Sequence, residues 1–321
     1  MKTVRDPDSI TAEDVMAARD RIAHIVDRTP LIPLEGIEGV HLKLETLQPI
    51  RSFKLRGATN AILALSEDEL AAGVYTASAG NMGQGLAWAA RRHGVPCAVV
   101  VPDSAPRTKL DAVRRLEAEI ISLPYEEWWD VLATHHYAPL EPARFVHPVS
   151  DVDMMAGNGT IGLEILGDLP DVETVMVPFG GGGLSGGIAA AIRAARPEVR
   201  IYGCEVETAA PLRAALAAGG PTKVPRIPTF VDGIGGPTVL PEMWPVASRL
   251  LAGSLVVSLA EVEAAIRLLV ERAAIVAEGA GAVSVAAGLK RLGVDRRTVC
   301  VVSGGNIDAS VLSRIIAAGT A

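Results

Sequence analysis

The chain has 321 residues, of which 49% are hydrophobic and only 4% aromatic, and alanine and glycine are abundant. This balance is typical of helices packed on a parallel sheet, and the length could hold two domains. The net charge of −7 offers no basic surface for nucleic acid, and no stretch is suited to crossing a membrane. Because the N-terminus is polar and acidic, unlike a signal peptide, we expect a cytoplasmic protein with a small ligand.

Several short β-rich runs are each followed by glycine or proline and then by an alanine-rich amphipathic segment, for example "VYTASAGN" before "GQGLAWAARRHG". This alternation predicts βαβ units and mostly parallel sheets, whose ligands sit at the carboxyl ends of strands. Residues 73–150 carry strand and helix units of their own. We therefore expect a small domain over 73–150, inserted into a large domain formed by 1–72 plus 151–321, with the active site in the cleft between them.

Three motifs in the first half of the chain could carry chemistry. "RSFKLRGA" places Lys54 between an aromatic residue and a glycine, although by itself it also fits an exposed lysine at a helix start. "TASAGNMGQG" has Ser78 and Asn81 at a strand–loop–helix turn, where both could be simple helix caps. "PYEEWWDVL" holds Trp128 and Trp129, which fit either a core position or a lid over a bulky substrate.

A glycine-rich loop, "GGGGLSGG", follows an apolar strand and opens a helix at Gly180 to Gly187. Free backbone N–H groups at the positive end of a helix favour phosphate binding. The segment 181–186 also fits GxGxxG, with Glu205 near the end of the next strand, so an NAD-dependent oxidoreductase is an alternative. A hydrolase interpretation of the GxSxG pattern fails because the last histidine, His147, precedes the serine.

Six segments, taken together and in this order, resemble a known family: "LETLQPIRSFKLRGA", "TASAGNMGQG", "AGNGTIGLEIL", "VPFGGGGLSGG", "AEGAGAVSVAA" and "VVSGGNID". They are similar to motifs of pyridoxal-phosphate enzymes of the tryptophan-synthase β-subunit fold type (fold type II), and most similar to those of the serine/threonine dehydratases. The resemblance implies a two-domain α/β fold, each domain an open, twisted, mostly parallel sheet flanked by helices. It further implies pyridoxal 5′-phosphate as the cofactor and a homodimer.

The resemblance also implies a reaction, the α,β-elimination of water from a β-hydroxy amino acid to give a 2-keto acid and ammonia. The amino acid stays open among serine, threonine and bulkier or aromatic relatives, and a racemase of the same fold is an alternative. Lys54 would form the Schiff base and remove the α-proton, because a buried amine with a depressed pKa is both nucleophile and base. Further cofactor contacts would come from Phe53, Asn81, Gly180, Gly181, Gly182, Gly183, Gly233 and Ser303. The substrate would contact Ser78, Ala79, Asn81, Met82 and Trp129.

Several positions depart from the family pattern. Met82 replaces a histidine that is usual in dehydratases, which indicates a more apolar pocket. Ala79 stands where racemases have a second serine, so we expect little racemisation. Some relatives bind a divalent cation through a glutamate, matched here by Glu205, and an aspartate six residues later; Pro211 occupies that second position, so we predict no metal site.

Overall fold

The structure, a computed structural model, describes residues 5–78, 80–105, 107–291 and 297–318. The strands are β1 (Leu31–Pro33), β2 (Val40–Leu44), β3 (Val74–Ala77), β4 (Cys97–Pro102), β5 (Glu119–Leu123), β6 (Arg144–Phe145), β7 (Thr174–Pro178), β8 (Arg200–Val206), β9 (Gly253–Val257) and β10 (Thr298–Val302). The helices are α1 (Ala12–Ile22), α2 (Lys54–Leu63), α3 (Glu67–Ala72), α4 (Asn81–His93), α5 (Arg107–Arg114), α6 (Tyr125–Thr134), α7 (Val152–Asp168), α8 (Gly183–Ala195), α9 (Pro211–Ala218), α10 (Trp244–Leu250), α11 (Leu259–Ala273), α12 (Gly279–Leu289) and α13 (Ala309–Ala317).

The strands form two sheets. The larger sheet has the order β1-β2-β10-β7-β8-β9 and is parallel except for the β1–β2 pair, and the smaller sheet, β5-β4-β3-β6, is parallel throughout. Helices flank both sheets, which confirms the α/β fold predicted from the alternating runs. All strands of the smaller sheet lie between residues 74 and 145. The division into domains at 73 and 150 stays a prediction.

The larger sheet is buried on both faces. Alternate residues of β10 belong to different clusters: Val299 and Val301 pack with the cluster that contains α8, whereas Cys300 and Val302 pack with the cluster that contains α11 and α12. Successive side chains of a strand point to opposite faces, so a strand covered on both sides reads as one continuous apolar run. This explains why "TVCVV" shows no polar alternation.

Helix α7 lies between α2 and α8 and touches both at the backbone. A Cβ added at Gly157 would come within 2.5 Å of the Arg56 carbonyl oxygen in α2. One added at Gly187 of α8 would come within 2.1 Å of the Met155 carbonyl oxygen. Only glycine allows helices to approach this closely. Helix α7 therefore connects the helix that begins at Lys54 with the helix that follows the glycine-rich loop.

A buried ionic network fixes α2 to β2 and α7. The Arg56 guanidinium donates to Glu45 (Nε to Oε2, 2.8 Å) and to Glu164 (Nη1 to Oε1, 2.6 Å). Lys43 Nζ donates to Glu164 Oε2 at 2.5 Å and to the Thr29 carbonyl at 2.6 Å. Burial alone would raise the pKa of Glu164, yet the two cations hold it below its ordinary value. Two carboxylates thus balance two cations in the interior.

The cysteines are free thiols, and burial raises the pKa of Cys97 and of Cys300 to about 12. In the described ranges, none of the helices combines the length and the apolar character that crossing a bilayer requires.

Candidate active site

Lys54 is the first residue of α2. Its side chain is partly accessible as a whole, but the amine is enclosed, and burial lowers the pKa of this amine to about 7. Nζ donates to the carbonyl oxygen of Pro148 and lies 5.1 Å from the centroid of the Phe53 ring. No carboxylate of the described residues pairs with it. A lysine held in this way is largely neutral near pH 7 and can act as a nucleophile or a base.

The turn after His147 presents the Pro148 carbonyl to Lys54. His147 Nδ1 accepts hydrogen bonds from the backbone N–H groups of Val149 (3.2 Å) and Ser150 (2.8 Å). Burial lowers the pKa of His147 to about 3, so the ring is neutral and carries its proton on Nε2. The histidine therefore acts as a fixed acceptor that holds the turn.

The glycine-rich loop lies against the same turn. A Cβ at Gly181 would meet the Val149 side chain at 2.7 Å, and one at Gly183 would meet the Val149 carbonyl oxygen at 2.3 Å. Gly182 has φ +100°, a conformation that favours glycine, and no side chain caps α8. Among the described residues, the N–H groups of Gly181 and Gly182 have no acceptor. The loop thus offers free donors at a helix N-terminus, as an anion site requires.

Two further predicted residues border this region. Gly233 lies beside the loop, because a Cβ added at Gly180 would be 3.5 Å from the Gly233 carbonyl oxygen. Ser303 follows β10 and is 3% exposed, and its carbonyl accepts a hydrogen bond from the Phe53 N–H at 3.0 Å. The Ser303 hydroxyl has no hydrogen-bond partner in the described part of the chain. A buried hydroxyl without a partner is available to a ligand.

Asn81 joins the two sheets. It begins α4 beside the smaller sheet, and its Nδ2 donates to Glu278 Oε1 at 2.8 Å. Its Oδ1 accepts from Asn306 Nδ2 at 2.8 Å, and Asn306 Nδ2 also donates to the Ile50 carbonyl. Glu278 is 8% exposed, and burial together with the nearby charge of Asp232 raises its pKa to about 7.

The N-terminus of α4 is a second anion site. No side chain caps this helix, whose first two residues are Asn81 and Met82, and the Ser78 hydroxyl accepts the Gly80 N–H at 3.3 Å. The Met82 side chain is buried in the core against α2, so only its backbone faces the site. Ala79 lies outside the described residues, and its predicted role stays a prediction.

The two tryptophans differ in their packing. Trp128 packs against the core of the smaller sheet that includes Tyr75 and Phe145. Trp129 is partly buried, and its ring centroid lies 6.3 Å from that of Trp128. Neither ring contacts Lys54, Asn81 or the glycine loop among the described contacts. A substrate contact for Trp129 stays a prediction.

Glu205, the candidate cation or ribose ligand, serves another helix. Its carboxylate accepts hydrogen bonds from the N–H groups of Leu212 (2.7 Å) and Arg213 (2.9 Å) at the start of α9 and from the Ser254 hydroxyl (2.5 Å). Such a carboxylate already has its acceptor positions filled by donors of the fold. This arrangement disfavours both the metal ion of some relatives and the dinucleotide alternative.

A second potential cation cluster, His135 with His147 and Glu242, is also poorly arranged for a metal. The two imidazole rings are stacked, with centroids 4.3 Å apart and an interplanar angle of 25°. Their lone pairs lie in separate, nearly parallel planes and do not converge on one ion. His147 would also have to give up the Nε2 proton that its two Nδ1 donors impose.

The structure thus brings together Lys54, Phe53, Asn81, the glycine loop and Ser303, although they are far apart in the sequence. Three contributors were not singled out from the sequence: the Pro148 carbonyl, Glu278 and Asn306. The last two belong to "AEGAGAVSVAA" and "SGGNID", motifs that carried the resemblance without pointing to these side chains. An enclosed amine, a free anion loop and an unpartnered hydroxyl fit the aldehyde, phosphate and ring nitrogen of pyridoxal phosphate.

Comparisons with known proteins agree with this fit. Residues 22–304 match the family model described as pyridoxal-phosphate dependent enzyme. An L-threonine ammonia-lyase of Thermotoga maritima is 42% identical over 97% of this chain and 79% of that protein. A second L-threonine ammonia-lyase, from Geobacter sulfurreducens, is 41% identical over 95% of this chain and 78% of that protein.

Solved structures give the same result at the level of the fold. A maize serine racemase has a TM-score of 0.89 at 29% identity and covers 97% of this chain and 98% of its own. A threonine deaminase of T.th. has a TM-score of 0.85 at 32% identity and covers 93% of this chain and 99% of its own. The chain therefore belongs to the family of pyridoxal-phosphate-dependent enzymes, in which the two relatives above 40% identity are lyases, and this confirms the cofactor and the reaction class predicted from the sequence.

Proposed function

We propose that the protein is an ammonia-lyase that eliminates water from a β-hydroxy amino acid, with L-threonine and L-serine as the substrates to test first. The observation that carries the proposal is the enclosed Lys54 amine, with a pKa of about 7, next to two helix N-termini that no side chain caps. A base and two separate anion sites are what a bound cofactor phosphate and an amino-acid carboxylate require. The threonine ammonia-lyases at 42% and 41% identity support this substrate class.

The cofactor residues follow from the same contacts. Lys54 Nζ would hold the cofactor covalently, and the N–H groups of Gly180 to Gly183 would hold its phosphate, with the Gly233 carbonyl bordering the loop. Phe53 would pack beside the ring, and Asn81 would donate to the phenolic oxygen. The Ser303 hydroxyl would donate to the ring nitrogen, which therefore stays largely unprotonated.

The bound cofactor supplies an electron sink for the bond to the α-proton. The N–H groups at the start of α4 and the Ser78 hydroxyl would orient the substrate carboxylate. The Lys54 amine, freed when the substrate amine takes its place, would accept the α-proton. The β-hydroxyl leaves as water when it gains a proton, and the released enamine hydrolyses to a 2-keto acid and ammonia. Pro148 would return Lys54 to its position, because its carbonyl accepts the amine proton.

Three coarser properties belong to this proposal. We infer that the protein acts in the cytoplasm and forms a homodimer. We also infer that residues 73–150 form a small domain inserted into a large one. The parallel sheet confined to residues 74–145 supports the division, and Asn81, Glu278 and Asn306 would then bond across the cleft.

The test measures 2-keto acid and ammonia from a panel of L-threonine, L-serine, D-serine, phenylserine and 3-hydroxyaspartate. The wild-type protein should be yellow with pyridoxal phosphate and release both products from at least one member. Lys54→Ala should lose the visible absorbance and the activity, whereas Lys290→Ala, which changes an exposed lysine paired with Glu261, should keep both. A colourless protein that binds NADH would contradict the proposal.

A racemase is the second candidate, because the maize serine racemase is similar to this chain over 97% of its length. Racemisation needs an acid/base group on each face of the α-carbon. Lys54 serves one face, and Ala79 has no side chain able to serve the other. Chiral chromatography of recovered serine should show little interconversion of the enantiomers, and Ala79→Ser should increase it. Rapid interconversion by the wild type would favour the racemase.

A further inference from the structure

Glu278 is a buried carboxylate without a charged partner. No described lysine, arginine or histidine forms an ion pair with it, and its Oε1 instead accepts a hydrogen bond from Asn81 Nδ2. The nearest charges are Asp232, which disfavours the ionised carboxylate, and Lys109, which pairs with Asp232. Burying a carboxyl group in this way costs stability that an apolar side chain would not cost. A carboxylate at this position therefore needs a functional explanation.

The surrounding backbone leaves room for this side chain. A Cβ added at Gly304, the residue after Ser303, would lie 2.5 Å from Glu278 Oε1. The Glu278 N–H donates to the Gly304 carbonyl at 3.0 Å, so the start of α12 is tied to the loop after β10. Glu278 consequently lies between Asn81 and the loop that carries Ser303.

The two neighbours of Asn81 determine how its amide is oriented. Glu278 Oε1 faces the amide nitrogen, and Asn306 Nδ2, which can only donate, faces the amide oxygen. Rotating the amide by half a turn would put the nitrogen against a donor and the oxygen against an acceptor. With this orientation fixed, one N–H of Nδ2 is used by Glu278 and the other has no partner among the described residues.

We propose that Glu278 is a positioning residue, which fixes the Asn81 amide so that its remaining N–H is available to the phenolic oxygen of the cofactor. This inference rests on the proposed role of Asn81. It assigns Glu278 no contact with the substrate or the cofactor, and it makes Asn306 the second half of the same device. Because the pKa of Glu278 is about 7, its carboxylate changes charge in the range where the enzyme would work.

The experiment is a double-mutant cycle on cofactor affinity, read from the absorbance of the apoprotein titrated with pyridoxal phosphate. Glu278→Leu removes the acceptor and should weaken binding by roughly tenfold, the equivalent of one hydrogen bond. Asn81→Ala should weaken it to a similar extent, and Glu278→Leu should add nothing in the Asn81→Ala background. Glu278→Gln, which keeps a carbonyl acceptor without the charge, should restore most of the affinity.

Asn306→Leu provides an independent arm if Glu278→Leu does not fold, and we expect the same lack of additivity with Asn81→Ala. An equal loss on changing Glu278 or Asn306 with and without Asn81 would overturn the proposal. A wild-type affinity in both Glu278→Leu and Asn306→Leu would overturn it as well. If the wild-type protein binds no pyridoxal phosphate, the proposed function fails first, so the two failures are distinguishable.

Discussion

The reactivity of Lys54 is set by its surroundings more than by its own chemistry. An unperturbed lysine with a pKa near 10.4 is neutral in roughly one molecule in 2,500 at pH 7. The enclosed amine, with a pKa of about 7, is neutral in about half of the molecules. Because the neutral fraction falls as pH drops below the folded-state pKa, covalent capture of an aldehyde should weaken in acid.

This gives a pH prediction for the apoprotein. The rate of pyridoxal-phosphate attachment should rise about tenfold per pH unit between pH 5 and pH 6.5 and become constant above about pH 8. The measurement is stopped-flow absorbance, and N-acetyl-lysine under the same conditions corrects for the ionisation of the cofactor itself. A rate that keeps rising to pH 10 would mean that the amine is not enclosed.

Ser303 offers a test of the electronic argument. Ser303→Asp places a carboxylate where the free hydroxyl lies, and a carboxylate should protonate the ring nitrogen. We expect elimination to slow relative to exchange of the α-proton with deuterated water, measured together by NMR on the same sample. Ser303→Thr keeps a hydroxyl and serves as the control. An unchanged ratio in the aspartate variant would show that Ser303 does not face the ring nitrogen.

The sequence identified these residues because each follows a strand and lies in a glycine-rich turn, and because the set resembles one family. Glu278 and Asn306 were missed for a physical reason. Neither needs to touch a ligand, and each acts through Asn81, which lies 197 and 225 positions away in the chain. A pairing over such a separation becomes visible only when both sheets are assembled.

At the scale of elements, α7 determines where the two halves of the cofactor site lie. Its glycines place α2, with Lys54, on one side and α8, with the phosphate loop, on the other. The βαβ alternation predicted the strands and helices from the sequence. It did not predict which helices meet at backbone distance, because that depends on contacts between segments far apart in the chain.

Two alanine substitutions on α7 separate helix propensity from packing. Gly157→Ala should destabilise the protein by about 1–3 kcal/mol, because its Cβ would lie 2.5 Å from the Arg56 carbonyl oxygen. Gly167→Ala, in the same helix, meets only the Arg28 side chain at 3.6 Å and should stabilise by about 0.5–1 kcal/mol. Thermal unfolding measures both. Equal effects at the two positions would contradict the close α2–α7 contact.

For the molecule as a whole, the position of Glu205 predicts independence from divalent cations. A cation site filled at a hundred times its dissociation constant would add about 2.7 kcal/mol of stability. Glu205 is instead used by α9 and Ser254, so neither EDTA nor added Mg²⁺ should change the melting temperature or the rate of keto-acid release. Activity that EDTA removes and Mg²⁺ restores would show that other groups bind the ion.

The buried network around Arg56 also bears on how the molecule opens. Releasing β2, α2 or α7 alone would leave a charge buried and unpaired, which costs about 3–5 kcal/mol. The three segments should therefore open as one cooperative unit, and their amide hydrogens should exchange with solvent deuterium at a common free energy. In Arg56→Met, hydrogen exchange followed by mass spectrometry should accelerate in all three together and leave α11 unchanged. The active-site lysine, at the first position of α2, would then be lost from its place only when the whole unit opens, and this protects the site from partial unfolding.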